Sequence, residues 1–192
     1  MTNGRQRYDQ DSLLVVATQV FTERGYDGTS MEDLAKVAGI TKSSIYHHVE
    51  SKEAILRSAL DRALDALFAV FSEPGAATGR AVDRLRYVVR RTVEVLDAEL
   101  PYVTLLLRVR GNTATEQSAL ERRRSFDRQV RGLFAEAIAD GDLRADLDPA
   151  LTERLVFGMI NSTVEWYRPD SATSVEDLVV AVLAVVDGLR TP

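Results

Sequence analysis

The amino-acid sequence predicts an all-α protein of about nine helices. The 5 prolines and 11 glycines of the 192 residues fall almost entirely between segments in which apolar residues recur with helical spacing. No stretch alternates apolar and polar residues for long enough to indicate a sheet. Because 45% of the residues are hydrophobic and none is cysteine, the chain must fold around an apolar core without disulfide bonds.

The composition also excludes several classes of function. The absence of cysteine rules out a thiolate zinc site, an iron–sulfur cluster and a cysteine nucleophile. The first twelve residues are polar, and the longest apolar run, residues 178–186, is shorter than the roughly 18 residues that span a bilayer. We therefore expect a cytoplasmic protein without membrane contact. The net charge of −5 argues against general polyanion binding, but leaves room for a small DNA-contacting surface.

Four helices are predicted in the first third of the chain, at residues 11–24, 30–38, 42–49 and 52–71. A hydroxyl side chain begins each of the last three and can accept a hydrogen bond from the first helical turn: Ser30, Thr41 and Ser51. Gly25 and Gly39 follow the first two helices, where glycine readily takes the left-handed conformation that ends a helix.

Five further helices are predicted beyond a break at residues 73–79, which has the most linker-like composition in the chain. They lie at residues 80–98, 101–110, 113–139, 149–167 and 175–190. We divide the chain into a head, residues 1–58, and a helical body, residues 59–192, with the linker near 73–79.

Residues 30–49 have the spacing of a helix-turn-helix motif. A small residue where two helices cross, a turn glycine and a buried aliphatic recur at fixed offsets, here Ala35, Gly39 and Ile45. Spacing alone leaves an ordinary helical hairpin equally open. If the motif binds DNA, the amino end of its second helix reads bases, and Thr41, Lys42, Ser43 and Ser44 occupy that end.

A longer stretch, VFTERGYDGTSMEDLAKVAGITKSSIYHHVESKEAIL, resembles the DNA-binding domain of the TetR/AcrR family of bacterial transcriptional regulators. It keeps the Phe-x-x-x-Gly-Tyr element, Gly39, the Ile45-Tyr46 pair and the Ser51-Lys52-Glu53 entry to the fourth helix. The resemblance implies a three-helix head that a long fourth helix joins to a ligand-binding and dimerisation body.

The resemblance also implies backbone phosphate contacts for Tyr46, His47 and His48. Helix amino termini favour a phosphate, so we add Ser30 and Lys52 to the predicted DNA-binding set. Residues 1–58 carry seven Lys and Arg against eight Asp and Glu, a net charge of −1. We therefore expect modest non-specific affinity and reliance on a dimer, with Arg5 and Arg7 adding a basic arm.

The last predicted helix, containing LVVAVLAVVDGL, is apolar on nearly every side and must be covered from two directions. A core helix in a monomer satisfies this as well as an interface helix does. The resemblance favours a four-helix bundle across a two-fold axis, formed by Leu155, Gly158, Met159, Ser162, Val179, Val182 and Val186. Such a homodimer predicts a palindromic operator with half-sites about 34 Å or a multiple apart.

The resemblance further implies a small-molecule effector among the middle helices. Candidate pocket residues are Tyr87, Tyr102, Leu106, Arg108, Phe126, Asn161, Glu165 and Trp166, although an aromatic core or a solvated helix face explains most of them equally well. Residues 141–170 resemble regulators of fatty-acid, sterol and aromatic-acid catabolism that sense acyl-coenzyme A thioesters.

We predict no metal or cofactor, because the adjacent His47 and His48 point about 100° apart on a helix and cannot chelate one ion together. No catalytic motif is present, so we predict that the chain is not an enzyme. The leading hypothesis is a homodimeric, ligand-responsive repressor. The alternatives are an effector-independent DNA binder or activator, and a helical ligand-binding protein without specific DNA binding.

Overall fold

The computed structural model describes residues 10–191, apart from the side chain of Gln10, and the arm predicted at Arg5 and Arg7 lies outside them. The described residues form ten α-helices and no strand, which confirms the predicted all-α class. The helices are α1 (Gln10–Arg24), α2 (Met31–Val37), α3 (Lys42–His48), α4 (Lys52–Ala69), α5 (Pro74–Ala77), α6 (Ala81–Ala98), α7 (Leu100–Arg108), α8 (Ala114–Ala139), α9 (Pro149–Ser162) and α10 (Val175–Asp187). Two 3₁₀ turns, Val70–Ser72 and Thr163–Glu165, follow α4 and α9.

The chain divides into two compact units, and each unit is formed by two separate segments of the chain. The head unit contains the residues up to Ala63 together with Pro101–Ala119. The body unit contains Leu64–Leu100 and the residues from Leu120 onward. The head unit therefore includes α7 except for its first residue, together with the start of α8, whereas the predicted division at residue 58 places both helices in the body.

The core of the head unit comes from one apolar stripe on each helix. In α1 the stripe is Leu13, Ala17, Val20 and Phe21, all at most 3% exposed and spaced so that they share a face. From α3 only Ile45 is fully buried. The short helix α3 thus buries one apolar side chain completely, and most of its surface is exposed.

The body unit is held by helix packing and an aromatic cluster. α6 packs against α5 and α10. The Phe126 ring lies 5.2 Å from Phe71, 5.9 Å from Phe157 and 6.0 Å from Phe68, centre to centre. Burial, together with a 2.7 Å hydrogen bond to Asp97, raises the pKa of the Tyr167 hydroxyl to about 12.

The segment predicted as a linker near 73–79 is instead a packed turn. Pro74 opens the single-turn helix α5, where its missing N–H costs nothing. A Cβ built on Gly75 would lie 2.5 Å from the Tyr87 ring, so only glycine fits beneath that ring. The Tyr87 hydroxyl donates to Glu73 at 2.7 Å. Glycine here serves close packing, which composition cannot distinguish from flexibility.

Candidate nucleic-acid interface

The turn between α2 and α3 is built by local capping bonds. The Ser30 Oγ accepts from the Asp33 backbone N–H at 3.1 Å, and the Asp33 carboxylate accepts from the Ser30 N–H at 2.9 Å. The hydrogen bond that the Ser30 hydroxyl donates to the Asp33 carboxylate, and then the one from the Ser30 N–H, hold the pKa of Asp33 below its ordinary value. Gly39 makes the turn at a φ of +67°, and the Thr41 Oγ1 accepts from the Ser44 N–H at 3.1 Å. The turn is the one that the sequence predicted.

The outer surface of α3 carries the polar side chains predicted to meet DNA. Thr41, Lys42, Ser43, Tyr46 and His47 are exposed, whereas Ser44 and His48 are half-buried. No acidic residue lies between positions 41 and 49. This surface, which we call the reading surface, offers hydroxyl, ammonium and imidazole groups to a ligand.

Lys52 has a structural role that the sequence did not reveal. Its ammonium donates to the carbonyl oxygens of Tyr26 and Thr29, both at 2.8 Å, and lies 4.1 Å from the centre of the Tyr26 ring. The half-buried ammonium therefore has a structural role in the head, and the phosphate contact of Lys52 stays a prediction.

Ser30 also has a structural role. Its hydroxyl donates to Asp33 Oδ2 at 2.5 Å while it caps α2, so the Asp33 carboxylate lies at this helix end. The phosphate contact of Ser30 stays a prediction.

The Phe-x-x-x-Gly-Tyr element, residues 21–26, forms the loop that the Lys52 ammonium contacts. Gly25 ends α1 with a φ of +81°, a conformation that other residues rarely adopt. The turn brings the Tyr26 ring edge-on to Phe21, with ring centres 5.3 Å apart. Burial is the main cause that raises the pKa of the Tyr26 hydroxyl. The motif thus fixes the loop that accepts the Lys52 ammonium.

Residues 108–116 form a corner that is fastened to the rest of the head unit. The Arg108 guanidinium donates to the Thr22 carbonyl at 3.1 Å, and the Thr115 hydroxyl donates to Glu53 at 2.7 Å. The Glu116 side chain is 5% exposed and accepts backbone N–H bonds from Gly111 and Asn112 at 2.8 Å and from Arg110 at 3.3 Å. Sequence reasoning missed this corner, although Thr113 and Glu116 have the spacing of a capping box.

A cleft of about 340 Å³ lies in the head unit where the end of α1 faces the end of α7. Its lining includes Phe21, Arg24, Tyr26, Leu105, Arg108 and Arg110. Of the eight residues predicted to bind an effector, Arg108 alone lines this cleft.

The eight predicted effector residues are divided between the two units. Tyr102, Leu106 and Arg108 belong to the head unit, where the first two are buried and Arg108 is exposed. The other five belong to the body unit. There Phe126 is part of the aromatic cluster and Tyr87 covers Gly75; Asn161 is half-buried, and Glu165 and Trp166 are exposed. Phe126 and Tyr87 thus have packing roles whether or not they touch a ligand.

Four of the predicted interface residues lie on α9, where Leu155 is 65% exposed, Gly158 and Ser162 are exposed and Met159 is half-buried. The three on α10 require correction, because Val179, Val182 and Val186 are 0%, 5% and 1% exposed within the single chain. The exposed apolar face of α10 instead carries Val180 and Val185, at 58% and 47%. A helix that is apolar all round does not reveal which face turns inward.

No three His, Cys, Asp or Glu side chains come together as a possible metal site in the described part of the chain. No helix among residues 10–191 is long and apolar enough to cross a membrane.

The capped helices, the glycine turn and the exposed reading surface define a helix-turn-helix DNA-binding head on a helical body. Residues 13–59 match the family described as "Bacterial regulatory proteins, tetR family", and residues 78–187 match "Tetracyclin repressor-like, C-terminal domain". The chain therefore belongs to the TetR family of transcriptional regulators.

Three relatives illustrate the match. The structure of SCO3833, a TetR-family member from Streptomyces coelicolor A3, is 59% identical and covers 100% of this chain and 96% of that one, with a TM-score of 0.88. The repressor KstR2 of Rhodococcus jostii is 32% identical over 94% of this chain and 90% of its own length. The structure of the ketosteroid transcriptional regulator KstR2 of Mycobacterium tuberculosis is 27% identical, covers 100% and 97% of the two chains, and has a TM-score of 0.85.

Proposed function

We propose that this chain is a homodimeric, cytoplasmic repressor that binds a palindromic operator and leaves it when a small-molecule effector binds. The observation that carries the proposal is the reading surface, in which only Ile45 is turned fully inward while the polar side chains of α3 face outward. The likeness to the KstR2 repressor supports the sign of regulation.

The residues of the reading surface have different proposed roles. Lys42, Ser43 and the hydroxyls of Thr41 and Ser44 stand at the amino end of α3, which enters the major groove in helix-turn-helix proteins, so they read bases. Tyr46, His47 and His48 lie further along the helix and contact phosphates, which position the head without specifying sequence.

The proposed dimer joins the exposed apolar faces of α9 and α10. Leu151 and Leu155 on α9 are 57% and 65% exposed, and Val180 and Val185 lie on the outer face of α10. Exposed apolar side chains concentrated on two helices are typical of a protein interface. A two-fold axis between the copies supplies two reading surfaces, as a palindrome requires.

The proposed effector is an acyl-coenzyme A thioester. The resemblance of residues 141–170 to regulators that sense such thioesters supports this class, and the similarity to a ketosteroid regulator favours an acyl group from lipid or sterol breakdown. The effector acts by binding the DNA-free state more tightly; a 100-fold preference corresponds to about 2.7 kcal/mol of coupling.

Footprinting of the region upstream of the gene tests the proposal. We expect a protected palindrome of about 15 to 30 base pairs, with half-sites spaced by whole helical turns. The bound duplex should then be released by an acyl-coenzyme A but not by the free acid or by coenzyme A alone. Equal binding to unrelated duplexes would contradict a specific regulator, and a specific footprint that no thioester affects would contradict the effector class.

A further inference from the structure

The reading surface contains one ammonium group, and it is paired with an acid from the neighbouring helix. Lys42 is the only Lys or Arg between positions 37 and 51. Its Nζ lies 3.7 Å from Glu32 Oε2, with the two side chains 61% and 76% exposed. Glu32 belongs to the first turn of α2, and the contact with Lys42, the first residue of α3, places its carboxylate beside the amino end of α3.

The contribution of this ion pair to the stability of the fold is too small to explain its presence. Exposed ion pairs contribute little to the stability of a fold, because water screens both charges. The capping box of α2 is formed by Ser30 and Asp33 without Glu32, and within the described part of the chain the pair with Lys42 is the one polar side-chain contact of Glu32. A carboxylate beside the reading surface also repels phosphate, which makes its position costly for a DNA-binding head unless it has a partner on the DNA.

We propose that Glu32 is a specificity-determining residue and that the Glu32–Lys42 pair together reads one G·C base pair in each half-site. This inference rests on the proposed operator binding. In the major groove guanine presents O6 and N7 as acceptors and cytosine presents N4 as a donor. Lys42 donates to guanine, and Glu32 accepts from cytosine.

The spacing of the two charged groups suits this target. Guanine O6 and cytosine N4 are hydrogen-bonded to each other, so they lie about 2.9 Å apart. The 3.7 Å between Lys42 Nζ and Glu32 Oε2 is close to that separation, and each charge faces a group of opposite polarity. An adenine·thymine pair also offers a donor beside an acceptor, but thymine has a single acceptor next to a methyl group, whereas guanine has two acceptors for the ammonium.

The pair also explains how a head with a net charge of −1 distinguishes its operator from unrelated DNA. On an unrelated sequence Glu32 stays on Lys42 and cancels the charge that would attract phosphate. On the operator both groups find partners. Glu32 thus lowers non-specific affinity while it preserves specific affinity.

Charge-neutral variants test the effect on specificity. We compare Glu32→Gln with Glu23→Gln, which removes the charge of another exposed acid of the head, on the footprinted operator and on an unrelated duplex over a range of salt. Glu32→Gln should bind unrelated DNA more tightly, with a salt slope steeper by about one unit. The ratio of specific to non-specific affinity should fall about tenfold, while Glu23→Gln should leave it nearly unchanged.

A Lys42→Met background and a modified base test the pairing itself. In that background Glu32→Gln should change the ratio much less. Replacing the cytosines of a half-site one at a time with N4-methylcytosine blocks the groove-facing donor. At one position this methylation should lower the affinity of the wild type for the operator about tenfold, and it should lower that of the Glu32→Ala variant little.

The proposal is overturned if Glu32→Gln and Glu23→Gln have equal effects, if the Lys42→Met background leaves the effect intact, or if no cytosine shows a loss that depends on Glu32. A loss at an adenine, probed with N6-methyladenine, would overturn the G·C assignment. If the wild type does not distinguish operator from unrelated DNA, the proposed function fails instead.

Discussion

The ammonium of Lys52 lies against the Tyr26 ring and donates to the Tyr26 carbonyl oxygen, so one residue at the start of α4 holds the loop that ends α1. Hydrogen bonds from a charged group contribute about 1.5 to 3 kcal/mol each when they are lost from a partly buried site. Lys52→Met removes two such bonds and should therefore lower the free energy of unfolding by about 3 kcal/mol or more, as measured by urea denaturation.

Lys36→Met is the matched control, because Lys36 is an exposed lysine of the same head. It should change stability by less than about 0.5 kcal/mol. If Lys52→Met left stability unchanged but weakened binding to every duplex, the ammonium would be a phosphate contact after all.

The Glu116 carboxylate is predicted to hold the corner between α7 and α8. Glu116→Ala removes the acceptor of three backbone N–H groups and should destabilise the protein by about 2 kcal/mol. Hydrogen exchange should accelerate at the amides of Gly111 and Asn112. Glu121→Ala changes an exposed acid of the same helix and should leave both measurements nearly unchanged; equal effects of the two variants would deny the corner a specific role.

The dimer interface is predicted to depend on outward-facing residues. Leu155→Glu places a charge at a side chain that is 65% exposed, so the protomer should fold normally but sediment as a monomer and lose operator affinity. Val182→Glu should instead unfold the body, because burying an unpaired charge costs several kcal/mol. A persistent Leu155→Glu dimer would place the interface elsewhere.

A buried carboxylate on α9 is predicted to make stability depend on pH. Burial, and then the charge of Asp127, raises the pKa of Glu153 above its ordinary value of 4.5, despite Arg131 at 3.4 Å. The folded state therefore binds this proton more readily than the unfolded state, and the contribution of Glu153 to stability falls as the pH rises from 4.5 through the raised pKa.

Glu153→Gln should remove the loss of stability that Glu153 causes as the pH rises. The difference in unfolding free energy between the wild type and Glu153→Gln should shift in favour of the variant as the pH rises from 4 to neutrality, measured by chemical denaturation at several pH values. A difference that does not vary with pH would show that Glu153 titrates normally. Glu121→Gln, at an exposed position of α8, provides the comparison variant.

What the sequence predicted well is local. Ser30, Gly39 and Thr41 act on neighbours within a few residues, so caps and a turn could be predicted without knowing the fold. Lys52 could not be interpreted in the same way, because its acceptors lie 23 and 26 residues away in the chain. The face of α10 was ambiguous for a different reason: valine and alanine occupy every side of it, so periodicity carried no direction.

The hydrogen bonds that join the 108–116 corner to Thr22 and Glu53 affect where a head can be cut from this regulator and joined to another body. A hybrid that transplants residues 1–58 onto a foreign ligand-sensing scaffold would sever the native bonds at both anchor points and present an unmatched corner to the graft. A hybrid that also includes residues 101–119 would keep the native contacts that the transplanted head makes with this corner.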